Sequence, residues 1–442
     1  MYRSKIESLV AWKNSTKRKP LILNGARQVG KTWLLREFGE RYYDSVAYIN
    51  LDNNETAKRL FDLDFDIERI INGLELLSGI KIMPGNTIIV LDEIQECPKA
   101  LASLKYFYET APDYHVAVAG SLLGVAKHAG TSYPVGKVQT IDLHPLTFSE
   151  FVRASASSSL ADALDRADLT SLEPFHAKLI DLLKHYLVIG GMPEVVQSYV
   201  DEGNVLAVRK IQKQILRDYE GDFSKHAPYN LTPRLLEIFN IIPAELAKEN
   251  KKFIFKMIRT GARAAEYESA LLWLEDAGVV RRVHRVSAAK MPLKAYAERE
   301  AFKLYLSDVG LLGAQADLAP EVILEGDRLF TEFKGAMAEQ FALQELVATG
   351  YKPLYYKKDK PSREVDYILD LGHQLLPLEI KSGKGSSGKS LAEFVEENSI
   401  SRAFKLTTQT LHIRRTSAID YVPLYLCSKV KEISELAKRE AG

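Results

Sequence analysis

The densest chemistry in the chain lies in Gly25-Ala26-Arg27-Gln28-Val29-Gly30-Lys31-Thr32. Gly25 and Gly30 permit the backbone angles that curl a loop around phosphate groups. Lys31 has the reach to touch outer phosphates, and the Thr32 hydroxyl can hold Mg²⁺. Together with Trp33, the eight residues form the expected nucleotide-binding stretch. A second group is Asp92-Glu93, which closes the apolar run "TIIVL". Asp92 would hold Mg²⁺ through water. Glu93 would polarise an attacking water, as a general base or by orienting it. The two groups together predict ATP and Mg²⁺ as ligands and hydrolysis as the reaction.

Another cluster lies near the other end of the sequence. Glu379 and Lys381, in "LPLEIKSGK", are two apart and share one face of any strand they occupy. Asp366, in "REVDYILD", falls in the preceding strand of the same expected hairpin. Two carboxylates with a backbone carbonyl suit Mg²⁺ or Mn²⁺, and Lys381 could orient or activate a water. Glu339 interrupts the apolar stripe of a helix, between Ala336 and Leu343. Two readings stand for this cluster. One is a metal site acting on DNA or RNA. The other is an inactive domain whose acids and lysine form a semi-buried ion cluster.

These residues need elements to position them. The apolar run before Gly25 predicts a strand and the amphipathic run after Thr32 a helix, so loop and helix N-terminus would face an anion. Further strands are expected at 45–52, 86–92, 115–121 and 138–143. The continuous apolar runs among them imply a parallel sheet covered on both faces. Residues 151–230 read as helices, starting with a Ser/Ala-rich stretch. Residues 232–286 read helix, short helix, helix, strand, the order of a winged helix-turn-helix. Its third helix, 264–277, carries Glu266, Glu268, Glu275 and Asp276 and no Lys or Arg. That suits a structural or protein-contact module better than a DNA groove, although Arg263, Arg281, Arg282 and Arg285 flank it. Residues 329–428 read helix, three strands, helix, strand, with a further strand at "YVPLYLC" (421–427). "GKGSSGKS" (383–390) reads as a linker, with phosphate-backbone contacts through Lys384 and Lys389 as the alternative.

The chain has 442 residues, too many for one ordinary core, so several domains are expected. A formal net charge of +1 gives no global attraction to nucleic acid or to acidic membranes. Cys97 and Cys427 have no metal-like spacing and read as free thiols in a reducing cytoplasm. The first residues lack the apolar core of a signal peptide, and no run is long and apolar enough to span a membrane.

The stretches "GARQVGKT", "IIVLDEIQ", "AGS", "LHPLTFSEF" and "GGMPEVV" resemble those of the prokaryotic AAA+-type ATPases related to STAND regulators. That family carries a C-terminal domain of unknown function, number 4143. The resemblance implies an α/β chain with four parts: a P-loop NTPase core of AAA+ type (1–150), a helical lid (151–230), a winged-helix-like segment (231–300) and a C-terminal α/β domain (301–442). It also implies that Ser121 senses the γ-phosphate (a helix N-cap is the plainer role), that Pro193 lies near the adenine or ribose, and that a homo-oligomer can form. The family commonly has Gly-Arg before "LxPLxFxEF". Here Gly136-Lys137 stands instead, and Lys lacks the planar fork of Arg. Arg153 and Arg217 are the other candidates for an arginine finger. The C-terminal element order is similar to the restriction-endonuclease-like core of PD-(D/E)XK nucleases. By that likeness Asp366, Glu379 and Lys381 match the motif and Glu339 completes the site.

Overall fold

The computed structural model describes residues 1–121, 133–248, 251–324, 331–359, 362–381, 389–412 and 417–441. They form two compact units, residues 2–144 with 272–279 and residues 145–271 with 280–442.

The N-terminal unit is built on five parallel strands: β1 (Leu21–Asn24), β2 (Ser45–Asn50), β3 (Thr87–Asp92), β4 (His115–Ala119) and β5 (Gln139–Asp142). Their spatial order is β2-β3-β4-β1-β5. Every residue of β3 and β4 is buried, as expected of apolar runs covered by helices on both faces. The helix Lys31–Tyr42 follows the glycine loop and buries Leu34, Leu35 and Phe38. The helices Ile67–Ser78 and Pro98–Thr110 add Ile70, Leu74, Leu104 and Phe107 to a core shared with Ile89, Leu91 and Val118. This strand order seats β4 between the loop strand β1 and the acid-bearing strand β3. Chemical groups at the carboxyl ends of all three therefore lie side by side. The unit is a mixed α/β fold on a five-stranded parallel sheet.

In the C-terminal unit helices precede a seven-stranded mixed sheet. Its strands are β6 (Val280–Val286), β7 (Ala297–Leu306), β8 (Leu354–Asp359), β9 (Ser362–Asp370), β10 (Leu375–Ile380), β11 (Ala403–Thr407) and β12 (Ile419–Pro423). The order is β12-β11-β10-β9-β8-β6-β7, so β6, the strand expected for the winged-helix-like segment, continues the sheet of the C-terminal domain. The run "YVPLYLC" is not a strand throughout. β12 ends at Pro423 and Leu424–Lys429 winds into a 3₁₀ helix, because proline lacks the N–H that would extend a ladder.

The helix Thr331–Ala348 is an interior element. From Ala336 to Leu346 every residue is buried, including Glu339, Gln340, Gln344 and Glu345. Each of these four polar side chains finds a partner. Gln340 Nε2 donates to Leu306 O at 2.7 Å, Gln344 Oε1 accepts from Val309 N at 2.9 Å, and Glu345 Oε1 accepts from Phe148 N at 2.8 Å. Glu339 is described below. An acid in this helix is therefore no exception on an apolar stripe, since Gln340, Gln344 and Glu345 are buried on the same helix.

Of "GKGSSGKS", residues 383–388 lie outside the described residues. Lys389 opens the helix Lys389–Glu397, with Nζ 3.8 Å from Glu393.

Candidate active site

The glycine loop connects β1 to the helix Lys31–Tyr42. Gly30 is the N-cap at φ 90°, a left-handed angle that glycine adopts without strain. Gly25 meets a different constraint, since a Cβ there would collide with the Leu143 carbonyl at the end of β5. Gln28 also has positive φ, at 66°. Ala26 and Val29 are buried, while Arg27 and Gln28 are half-buried. Trp33 is exposed on the helix. Ala26 also abuts Gly278, whose Cβ, if present, would lie 3.0 Å from Ala26 N.

Lys31 is folded back under its own loop. Its Nζ donates to Gly25 O at 2.9 Å and to Ala26 O at 2.8 Å. Burial pushes its pKa down to about 8, against the opposing pull of Glu93 and Asp92. Thr32 Oγ1 donates to Asp92 Oδ2 at 2.7 Å, so the two expected magnesium holders already face each other. Hydroxyl and carboxylate are hard oxygen donors of the kind Mg²⁺ takes. With phosphate-compatible glycines beside them, the residues fit Mg-ATP.

Asp92 is fixed on both oxygens. Oδ2 also accepts from Tyr48 OH at 2.8 Å, and Oδ1 accepts from the Glu93 amide at 3.0 Å. Tyr48 stacks under Arg36, whose guanidinium lies 3.9 Å from the ring centroid. Nothing in the sequence singles out Tyr48. It becomes visible only when the β2–β3 pairing of Tyr48 with Val90 brings it near Asp92. Glu93 sits at φ 51° with Gln95 Nε2 donating to its Oε2 at 2.5 Å. A non-glycine residue at such an angle costs about 1–3 kcal/mol, and such strain gathers at functional sites. Ser121 is buried, two residues beyond β4. The residues that would follow it in a helix, 122–132, lie outside the described residues.

The remaining nucleotide-site candidates are distributed as follows. Lys137 Nζ pairs with Glu109 at 3.0 Å beside the Tyr108 ring. Arg153 is held between Asp162 at 2.5 Å and Asp165 at 3.1 Å. Arg217 Nη1 donates to Gln214 Oε1 at 3.4 Å. Pro193, in the C-terminal unit, occupies the first turn of the helix Pro193–Glu202. The two glycines before it have local work. A Cβ on Gly190 would strike Asp308, and Gly191 N donates to Asp308 Oδ2 at 2.6 Å.

The C-terminal acids are surrounded by lysines. Glu339 is paired with Lys251 through Oε1, while Oε2 lies 3.4 Å from Lys303 Nζ and accepts from Tyr305 OH at 2.9 Å. Lys303 Nζ also lies 2.6 Å from Glu364 Oε1, whose other oxygen is 2.9 Å from Lys357 Nζ. Asp366 Oδ2 accepts from the Ile380 amide at 2.8 Å. The β9–β10 register pairs Tyr367 with Leu378, which sets Asp366 opposite Glu379 one step on. Glu379 Oε1 lies 2.8 Å from Lys381 Nζ, and its buried Oε2 has no partner among the described residues. Burial opposes the charge on Glu339, but Lys303 and Lys251 outweigh it and hold the carboxyl well below its ordinary range. Burial and the Glu339 charge push Asp366 up. Among the described residues, no group of three or more His, Cys, Asp or Glu side chains is placed to hold a metal ion. The β9–β10 hairpin brings Asp366 and Glu379 together, while Glu339 is bound up with lysines that sequence reasoning passed over. The available signal was Lys303 itself, the one charge in the apolar run Ala301–Leu306. Two of the arginines beside the helix Ala264–Asp276 are also engaged. Arg282 pairs with Glu268 at 2.9 Å and Arg285 with Glu298 at 2.6 Å.

Comparison with known proteins bears on both units. Residues 17–152 match the family model described as an AAA domain. Residues 180–322 and 334–427 match models described as domains of unknown function 8612 and 4143. A search of curated proteins finds no match. Among solved structures, the chain is similar to the Walker-type ATPase paby2304 of Pyrococcus abyssi, at 16% identity over 71% of this chain and 95% of that one, with a TM-score of 0.46. It is also similar to the Orc1 protein of Aeropyrum pernix, solved in complex with DNA, at 16% identity over 71% and 90%, with a TM-score of 0.25. The N-terminal unit is a P-loop ATPase domain of the AAA type, and a domain of unknown function 4143 lies toward the other end of the chain. No helix among the described residues is long and apolar enough to cross a membrane.

Proposed function

We propose that residues 25–33 bind ATP with Mg²⁺, that Glu93 directs its hydrolysis, and that the C-terminal unit serves as a contact module answering to the nucleotide state. The observation that carries the first part is the pairing of Thr32 with Asp92 at 2.7 Å beside the buried Lys31. Lys31 would leave the Gly25 and Ala26 carbonyls for the phosphates, exchanging two neutral acceptors for anionic ones. Thr32 and Asp92 would hold the ion, which when bound neutralises charge on the phosphate oxygens. Tyr48 and the Glu93 amide keep the Asp92 carboxylate oriented. Glu93, steadied by Gln95, would orient the attacking water and accept its proton. Ser121 would read the γ-phosphate from the end of β4. Lys31→Ala should abolish nucleotide binding or hydrolysis, and Glu93→Gln should keep binding and lose turnover. Undiminished ATPase activity in both variants would refute this site.

The contact-module reading, in preference to a metal-dependent nuclease, is supported by the lysines on Glu339 and Glu364. Glu339, one of the three expected metal holders, is already neutralised by Lys251 and Lys303 and so offers little to a divalent cation. Purified protein should leave DNA and RNA intact with Mg²⁺ or Mn²⁺, with and without ATP. Cleavage lost in Asp366→Asn would overturn the reading. The Glu93→Gln variant, trapped with ATP, should change oligomer size or partner binding.

A further inference from the structure

We infer that Arg3 is a positioning residue for the phosphate loop, an inference that rests on the ATP-binding reading above. Arg3 is buried, 5% exposed. Its Nη1 donates to Val29 O at 2.8 Å and its Nη2 donates to His144 O. Val29 is the residue before Gly30 in the loop. In a trans peptide the carbonyl and the N–H of one plane point in opposite directions. A donor that fixes the Val29 carbonyl therefore fixes the Gly30 N–H on the other side of the same plane. A phosphate cradle needs its N–H groups turned inward, and so needs its carbonyls turned outward and satisfied elsewhere. Arg3 meets that need at Val29 from outside the loop.

The second arm of the guanidinium gives the anchor direction. His144 follows Leu143, whose carbonyl lies against Gly25 at the loop's other end. One planar fork thus ties the exit of β5 to the phosphate loop. A lysine ammonium, a single point donor, cannot reproduce that bidentate geometry. The Lys31 bonds to Gly25 O and Ala26 O exist only while Lys31 is folded back. The Arg3 bond to Val29 uses no group that the nucleotide needs, so it can persist in the bound state.

The test is titration of the full chain with ADP, together with ATPase kinetics, for Arg3→Ala, Arg3→Gln, Arg3→Lys and Lys31→Ala. Because the bond is present in both free and bound protein, only the lost pre-organisation of the loop reaches affinity, and Arg3→Ala should weaken ADP binding about tenfold, the lower end of what a charge-assisted hydrogen bond is worth. KM for ATP should rise while kcat changes little, because the interaction serves ground and transition states alike. Arg3→Lys should recover part of the loss. ADP affinity in Arg3→Ala within about twofold of the parent, with binding or hydrolysis abolished in Lys31→Ala, would overturn the inference and leave the ATP site standing. Intact binding and hydrolysis in Lys31→Ala would overturn both together. If Arg3→Ala does not fold, graded weakening from Lys to Gln supports the inference, and parent-like affinity in both overturns it.

Discussion

Replacing Lys303 by Met is the most informative perturbation of the C-terminal unit. The side chains are similar in length, so the change removes the charge and little volume. In the structure Lys303 Nζ sits 2.6 Å from Glu364 and 3.4 Å from Glu339. At an effective dielectric of about 20, each contact represents about 5–6 kcal/mol of gross attraction. Desolvation of the ammonium offsets much of that, but removing one partner leaves buried carboxylates behind, at a usual cost of about 3–5 kcal/mol. Lys251 remains on Glu339 and Lys357 on Glu364, which puts the expected loss near the lower bound, about 3 kcal/mol. In a unit of this size that lowers the melting midpoint by roughly 5 °C. Denaturant and thermal unfolding of the variant would measure it. Adding Glu339→Gln to Lys303→Met should restore part of the loss, because it removes the excess negative charge left in the buried cluster. Manganese should leave the parent's midpoint unchanged. A loss below about 1 kcal/mol, or a manganese-dependent rise that disappears in Asp366→Asn, would refute the view that these lysines take the place of a metal.

Two further outcomes follow from buried ionisable groups. Lys31, at about pKa 8 in the free protein, should become fully protonated between phosphates, so ADP binding at pH 8 should take up about half a proton and almost none at pH 6. Calorimetry in buffers of different ionisation enthalpy reads this, and uptake near zero at pH 8 would contradict the lysine's buried, folded-back state. Glu345 is pushed up to about 8 by burial, against the hydrogen bond from Phe148 N and with the Glu150 charge adding to the rise. Because its folded pKa lies above its ordinary value, the stabilisation it gives is present at low pH and is lost as pH climbs toward 8. Glu345→Gln should flatten the fall in stability between pH 5 and 8 by on the order of a few kcal/mol. An unchanged slope in urea titrations across that range would contradict the assignment.

Much of the proposed nucleotide site was legible in the amino-acid order because its chemistry is local. Gly25, Gly30, Lys31 and Thr32 belong to one loop and one helix start, and Asp92-Glu93 closes one apolar strand. Spacing along the chain therefore carries the geometry. The parallel sheet was legible for a similar reason, since runs such as "TIIVLD" and "HVAVA" demand cover on both faces. The C-terminal acids were readable only in part. The hairpin that brings Asp366 opposite Glu379 follows from adjacent strands, so sequence order sufficed for that pair.

What lay beyond the sequence depends on contacts between distant segments. Glu339 stood out as an acid on an apolar stripe, yet whether it faces a metal or an ammonium depends on Lys251 and Lys303, which reach it only in the folded unit. Tyr48 touches Asp92 because β2 pairs beside β3, and Arg3 reaches Val29 and His144 because the start of the chain packs under the loop. The sequence determined which groups could do chemistry on phosphate, because that requires particular atoms a few residues apart. Only the tertiary structure decided which buried charges were already satisfied, because a charge is neutralised by whatever folding brings next to it, however far away in the chain.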